Sequence, residues 1–168
     1  AYVCRTQDTS CPFSRSDRAR TWNDDPARAA RWRGRLGTGM PIGVDEAIHS
    51  FADIVSSAKA GASGVSLKLI KLGGITAAVE AGKLCQKLGL SVNIAAKIAE
   101  SSISSAAALH LACAVPKADW GVSLTHFYLA EDIVRRPLPL KNGMVALPEG
   151  PGLGIEVDEA AVERFRTR

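Results

Sequence analysis

Three short apolar segments of this chain each run into charged residues, and a helix-like segment follows each of them. The segments are Pro41-Ile42-Gly43-Val44, Gly64-Val65-Ser66-Leu67 and Leu90-Ser91-Val92-Asn93-Ile94-Ala95. The charged residues are Asp45 and Glu46 after the first segment, Lys68 after the second, and Lys97 and Glu100 after the third. Barrel enzymes carry their catalytic groups at the carboxyl ends of buried parallel strands. The pattern therefore predicts strand ends that bring a carboxylate, an amine and a second carboxylate to one mouth.

The segments between the predicted strands have the spacing of helices. Apolar residues recur at helical intervals at Ile48, Phe51, Val55 and Ala58, and again at Ile75, Ala78, Val79, Gly82 and Cys85. Gly73-Gly74 opens the second helix and Gly89 closes it. Ser101-Ser102 can cap a third helix that ends before Pro116. Strands that alternate with helices favour an α/β fold with a parallel sheet.

Chain length restricts the architecture. A closed (β/α)8 barrel takes roughly 250 residues, whereas this chain has 168 residues and its clear pattern begins near Pro41. Three strand–helix units cannot close a barrel. The sequence is compatible with a small open α/β domain or with a part of a larger TIM-type barrel.

The basic charge is concentrated at the amino-terminal end. Residues 1–40 contain eight arginines and four aspartates, which together give +4, the whole formal net charge of the chain. Residues 1–23 lack a hydrophobic period and are predicted to be irregular, so the folded domain is expected over residues 24–168. A helix is predicted over residues 27–36, with Asp25 and Pro26 at its start. Nucleic-acid binding is disfavoured because few aromatic residues accompany the arginines.

Two further features concern location. No apolar stretch reaches the roughly 18 residues of a membrane span, and residues 1–20 lack the apolar core of a signal peptide. The four cysteines form no CxxC pair, and Cys85 and Cys113 are predicted as buried, reduced thiols on helices. We therefore expect a cytoplasmic protein without a membrane partner.

Four motifs in order resemble the enolase superfamily. They are Pro41–Glu46 (PIGVDE), Leu67–Ile75 (LKLIKLGGI), Ala99–Ile103 (AESSI), and a tail in which Trp120-Gly121 precedes Pro148–Gly154 (PEGPGLG). The first three are similar to the last three barrel strands of that superfamily, and the resemblance covers about residues 24–168. A lysine on the middle strand resembles the muconate-lactonizing branch of the mandelate racemase/muconate lactonizing enzyme family. The resemblance implies an α/β fold that is a partial (β/α)8 TIM-type barrel, with the last three βα units and a carboxy-terminal tail.

The resemblance also implies a reaction. It indicates Mg²⁺-dependent proton abstraction next to a carboxylate, or cycloisomerisation, of a small carboxylate substrate. Asp45 matches a metal ligand at the end of the sixth strand, and Lys68 matches the acid/base lysine of the seventh. Magnesium and burial are expected to tune that lysine toward neutrality. Glu100 matches the carboxylate of the eighth strand, which orients the substrate or the lysine. Glu46 is expected on the opposite side of its strand, in a supporting or structural role.

Each site residue also has a structural interpretation. Asp45 could cap a helix, Lys68 could be a solvated loop lysine as Lys71 is expected to be, and Glu100 could stabilise a helix start. Their occurrence at three successive strand ends favours a site. His110 and Cys113 lie one turn apart but lack a third ligand, so a packed helix is favoured over a metal pair. His49 and His126 receive no role.

Several parts expected from the family are not identifiable in the sequence. They are the amino-terminal capping domain, the first five strands, the two other metal carboxylates and the paired-lysine motif of the second strand. The chain alone is therefore expected to be an incomplete, inactive fragment. Uncovered strands also predict self-association into a homo-oligomer. A non-catalytic α/β association module is the alternative function class.

Overall fold

The structure of the protein is a computed structural model that describes residues 3–5 and 41–166. The helix predicted over residues 27–36, and most of the segment predicted to be irregular, lie outside the described residues. Of that segment the structure describes only the strand Val3–Arg5 (β1). β1 pairs antiparallel with Met144–Ala146 (β5), an element that the sequence did not predict for the amino-terminal segment.

The other elements follow the predicted alternation of strands and helices. The strands are Gly43–Val44 (β2), Gly64–Leu67 (β3) and Ser91–Ile94 (β4). The helices are Phe51–Lys59 (α1), Leu69–Leu72 (α2), Ile75–Lys87 (α3), Ser102–Ala114 (α4) and Glu159–Phe165 (α5), with a 3₁₀ turn at His126–Tyr128. The single turn α2 was not predicted.

The central sheet is parallel, with strand order β2-β3-β4. Its rows are in register, since Gly43 lies beside Gly64 and Gly64 beside Ser91. Long helical crossovers connect the strands, as parallel pairing requires. The predicted α/β fold with parallel βα units is confirmed.

A further parallel segment follows the three predicted strands. Val122 forms a parallel bridge with Ile94. Around it, the Trp120 amide donates to the Val92 carbonyl at 3.0 Å, and the Ile94 amide donates to the Gly121 carbonyl at 3.0 Å. The tail thus continues the sheet beyond β4, so β4 is not the last parallel segment of the chain.

Alternation gives the sheet two different faces. The apolar face carries residues that are almost fully buried against the helices: Val44, Val65, Leu67, Val92 and Ile94. The opposite face carries small or polar residues, among them Ser66 and Asn93, whose side-chain amide donates to the Ser66 hydroxyl at 3.1 Å. Val65 and Leu67 thus belong to the core between the sheet and the helices.

Trp120 lies across the amino-terminal end of the small-residue face. A Cβ placed on Gly64 would be 2.7 Å from the Trp120 ring and 2.6 Å from the Ser91 carbonyl oxygen. A Cβ on Gly43 would be 2.7 Å from the same ring. Glycine is therefore needed at the start of both strands, because the indole packs directly on their backbones.

The carboxy-terminal segment is joined to α4 by polar contacts. The Asp132 carboxylate accepts from the Ser102 amide at 2.9 Å and so caps α4, while Ser101 occupies the N-cap position without a side-chain bond. His126 is buried; its Nε2 donates to the Leu138 carbonyl at 2.8 Å and its Nδ1 accepts from the Ser105 hydroxyl at 3.0 Å. These contacts give His126 a structural role that its isolated position in the sequence did not indicate.

Cys85 and Cys113 differ in environment. Cys85 is buried and free, as predicted, and burial raises the pKa of its thiol to about 11. Cys113 is exposed, so its predicted burial is wrong. α4 turns this side chain away from the core, which it contacts through Leu109 and Leu111 instead. No helix within the described part of the chain has the length and apolar character to cross a membrane.

Candidate active site

The three charged residues picked from the sequence all follow strands of the parallel sheet. Asp45 comes directly after β2, Lys68 directly after β3, and Glu100 six residues after β4. All three strand ends lie at the same edge, because the strands are parallel. Asp45 and Lys68 are in direct contact, whereas the described contacts of Glu100 are with its own loop and with the tail.

Lys68 is the most enclosed member of the group. Its side chain is only 5% exposed, and its Nζ lies 2.9 Å from Oδ1 of Asp45. The same Nζ donates a hydrogen bond to Oε1 of Glu46. Lys68 is therefore held between two carboxylates and is not a solvated loop residue.

Glu46 lies on the same side as Lys68, which corrects the expectation from strand alternation. β2 ends at Val44, and Asp45 and Glu46 already belong to the turn that follows. Alternation ceases to apply where the extended backbone ends. Consecutive carboxylates can thus both face the lysine.

Lys71 is a further member of the site, and its interpretation as a solvated loop lysine is wrong. It lies on α2 with a side chain that is 10% exposed. Its Nζ donates to Oε2 of Glu46 at 2.8 Å and also to the main-chain carbonyl of Glu46. This contact was not predicted from the sequence because the helical turn α2 was not predicted.

The carboxylate of Asp45 has unused capacity to bind a cation. Its Oδ1 is buried, and the contact described for it is the ion pair with the Lys68 amine 2.9 Å away. Its alternative role as a helix cap is wrong, because Ser50 caps α1. A carboxylate oxygen is the donor that a hard divalent cation prefers.

Such a cation would contact the described residues through the Asp45 carboxylate. Among residues 41–166, no group of three or more His, Cys, Asp or Glu side chains could hold a metal ion. The described contact of the His110 ring is with the Leu153 carbonyl at 3.3 Å, and Cys113 is exposed.

Glu100 belongs to a tightly bonded loop. Its carboxylate accepts from the Lys97 amide at 2.8 Å, and its own amide donates to the Thr125 hydroxyl at 3.2 Å. The Thr125 hydroxyl in turn donates to the Lys97 carbonyl at 2.6 Å. Ala99 has a φ of 56°, a left-handed conformation that costs a non-glycine residue roughly 1–2 kcal/mol. Backbone conformations of this kind cluster at functional sites.

The ion pairs of the site favour the charged forms of Glu46 and Lys68. Hydrogen bonds from Lys68 and then Lys71 lower the pKa of Glu46 to about 2. Burial alone would lower the pKa of Lys68, but contacts with Glu46 and Asp45 outweigh it and raise that pKa. In this arrangement the carboxylates of Glu46 and Asp45 thus favour the charged form of the Lys68 amine.

Comparison with protein families gives one matching model, and it covers most of the chain. The model, described as "Enolase C-terminal domain-like", matches residues 20–161. Muconate cycloisomerase 1 of Rhodococcus opacus is 36% identical over 128 residues, which are 75% of this chain and 34% of that protein. Chloromuconate cycloisomerase of Cupriavidus pinatubonensis is 35% identical over 145 residues, 86% of this chain and 38% of that protein. The chain spans about a third of the length of these relatives.

Solved structures agree with the sequence relatives. An N-succinyl Arg/Lys racemase from Bacillus cereus superposes with a TM-score of 0.76 at 30% identity, over 86% of this chain and 38% of that chain. An enolase from Pseudomonas fluorescens with bound magnesium, potassium and tartrate superposes with a TM-score of 0.72 at 25% identity, over 84% of this chain and 33% of that chain.

Proposed function

The chain belongs to the enolase C-terminal domain-like family, in the mandelate racemase/muconate lactonizing enzyme group of the enolase superfamily, and from this we propose that it serves magnesium-dependent isomerase chemistry on a small carboxylate substrate. The proposed reaction is proton transfer at the carbon next to the carboxylate, or the related cycloisomerisation. Curated relatives named as muconate and chloromuconate cycloisomerases, and a structural neighbour named as a racemase, support this class.

Lys68 is the proposed proton-transfer group. The observation that carries this role is the enclosed amine at the end of β3, held by Asp45 and Glu46. A general acid or base must be within hydrogen-bond reach of the reacting atom and must have a fixed direction. In the charged form, Lys68 can deliver a proton to a carbanion-like carbon. To accept a proton, it must first lose its own, which a cation bound to Asp45 would favour by competing for the carboxylate.

Asp45 is the proposed magnesium ligand of this chain. Its buried oxygen without a hydrogen bond supports the role, and a neighbour solved with magnesium supports the choice of ion. When bound, magnesium would supply positive charge beside the substrate carboxylate. Asp45 itself orients the lysine through the 2.9 Å ion pair.

Glu100 is proposed to orient the substrate or the lysine from the third strand end. The left-handed Ala99 and the hydrogen bonds to Thr125 hold its loop in one conformation. This rigidity supports a positioning function, because orientation requires a group that does not move freely. The homo-oligomer and the cytoplasmic location remain predictions.

A chimera tests the proposed metal role. The curated relatives are about three times as long as their match to this chain. The experiment therefore takes residues 20–161, which the family model matches, and uses them to replace the corresponding segment of the Rhodococcus opacus enzyme. Muconate turnover is then measured against magnesium concentration for the chimera and for its Asp45→Asn variant. The expected result is turnover that needs magnesium, with the half-saturating concentration raised at least tenfold by Asp45→Asn.

Two results would overturn the proposal. One is a folded chimera, judged by its circular dichroism and cooperative melting, that shows no turnover of muconate or exchange of an N-succinyl amino acid. The other is an active chimera in which Asp45→Asn leaves the magnesium dependence unchanged. Glu80→Gln, a carboxylate change on the exposed surface of α3, is the matched control.

A further inference from the structure

The Lys71 amine holds Glu46 at two points. It donates to Oε2 of the carboxylate at 2.8 Å and also to the main-chain carbonyl of the same residue. One bond fixes the end of the Glu46 side chain and the other fixes its backbone. A glutamate that is bonded at both its carboxylate and its main-chain carbonyl loses most of the rotamer freedom of its side chain.

The other oxygen of this carboxylate is bonded to the proposed proton-transfer group. Oε1 of Glu46 accepts from Lys68 while Oε2 accepts from Lys71, so the carboxylate bridges two amines. Lys68 makes its second charged contact with Asp45 at 2.9 Å. The direction of the Lys68 amine is therefore set by two carboxylates, and one of these is itself held by Lys71.

The short helix α2 brings the two lysines together. Lys68 is its N-cap residue, and the Leu72 amide donates to the Lys68 carbonyl at 3.2 Å. Gly73 closes the turn with a φ of 84°, where its amide donates to the Leu69 carbonyl at 3.1 Å. A left-handed glycine is the usual end of such a turn. Residues three apart on a helical turn lie on one side, which places Lys71 beside Lys68.

We propose that Lys71 is a positioning residue that fixes the direction of the Lys68 amine through Glu46. The Lys71 amine forms an ion pair with Oε2 of Glu46 and so prevents the Glu46 side chain, which is partly exposed, from turning toward solvent. Without the contact from Lys71, the Glu46 carboxylate can rotate away from Lys68, and of these two carboxylates only Asp45 then orients the Lys68 amine. The inference deepens the proposed function, since it names a residue that prepares the same lysine for proton transfer.

Nitrogen-15 NMR of the lysine side chains in the full chain tests this role without any turnover. An ammonium that is enclosed and bonded to carboxylates exchanges its protons slowly with water, so Lys68 should give a distinct signal. Lys71→Met should speed that exchange at least tenfold, because the Glu46 partner is released. Lys71→Arg keeps a donor for both contacts and should hold the exchange rate within about threefold of the wild-type value. Lys83→Met, at an exposed ion pair of α3, should leave the Lys68 signal unchanged.

The proposal would be overturned if the exchange rate of the Lys68 ammonium protons did not change in Lys71→Met. It would also be overturned if Lys71→Arg increased that rate as much as Lys71→Met does. The backbone spectrum of Lys71→Met shows whether that variant folds. If it does not, Lys71→Gln, whose side chain is neutral and shorter than lysine, replaces it in the same comparison. In the chimera, Lys71→Met should lower kcat with little change in KM, and Lys71→Arg should restore kcat. An inactive chimera contradicts the proposed reaction alone, since the NMR result concerns only the geometry.

Discussion

The Lys68 amine and the Asp45 carboxylate meet at 2.9 Å although they follow different strands. Each residue is the first beyond its strand, and the two strands are parallel neighbours in register. The contact is therefore a product of the sheet itself, since parallel pairing brings successive carboxyl ends to one edge. The site depends on the register of β2 and β3, and on whatever holds that register.

The packing of Trp120 against the strand starts can be tested with two glycine substitutions. Gly64→Ala should destabilise the protein by about 1–3 kcal/mol, because the new Cβ meets both a ring and a backbone oxygen. Gly43→Ala meets only the ring and should cost less. Urea unfolding measures both.

The matched control for these variants is Trp120→Leu. A smaller side chain should relieve most of the added cost of Gly43→Ala but little of the cost of Gly64→Ala, where the Ser91 carbonyl stays in place. Equal relief in the two double variants would contradict this packing.

The cap supplied by Asp132 should be worth about 1 kcal/mol to the protein. Asp132→Ala leaves the first amide of α4, on Ser102, without its partner and also frees the Ile133 amide. The free energy of unfolding should fall accordingly. Glu80→Ala, which removes only an exposed ion pair on α3, should change it by less than about 0.5 kcal/mol. A similar effect of the two substitutions would argue against the cap.

Protonation of the Asp53 carboxylate in acid should lower the stability that its hydrogen bonds give to the start of α1. The hydroxyl of Ser50 donates to the Asp53 carboxylate at 2.8 Å, and this bond lowers the pKa of Asp53 from its usual 3.8. Because the folded-state pKa is the lower one, the stabilisation is complete above about pH 4 and is lost as the pH falls through the folded value. Asp53→Asn should be less stable than wild type near neutral pH, and the gap should close in acid. A gap that stays constant into strongly acidic solution would contradict the assignment.

Local sequence predicts the strands and helices that depend on the spacing of apolar residues and on glycines at their ends. Alternation along β3 correctly separates Val65 and Leu67 from Lys68, because that strand stays extended up to the lysine. The same reasoning failed for Glu46, since β2 is only two residues long and the chain turns directly after it. A sequence pattern does not reveal where an extended segment stops to within one residue.

Contacts between distant segments could not be predicted. The bond between Asp132 and Ser102 spans thirty residues and has no local signal. Lys71 was misinterpreted because the apolar residues around it did not indicate the single helical turn that Gly73 ends. The resemblance to a family identified Lys68 as the candidate for proton transfer, but only the folded chain shows which side chains hold that lysine in place.

The most direct test of the account is the exchange of a substrate proton with deuterated solvent. An N-succinyl amino acid is incubated with magnesium and the chimera described above, and the loss of its α-proton signal is followed by NMR. Lys68→Ala should slow this exchange by on the order of 10²–10⁴-fold while magnesium binding is retained. Lys83→Ala, at the exposed surface of α3, should leave the exchange unchanged. Exchange in the Lys68→Ala chimera at the rate of the parent chimera would contradict the assignment of Lys68 as the proton-transfer group.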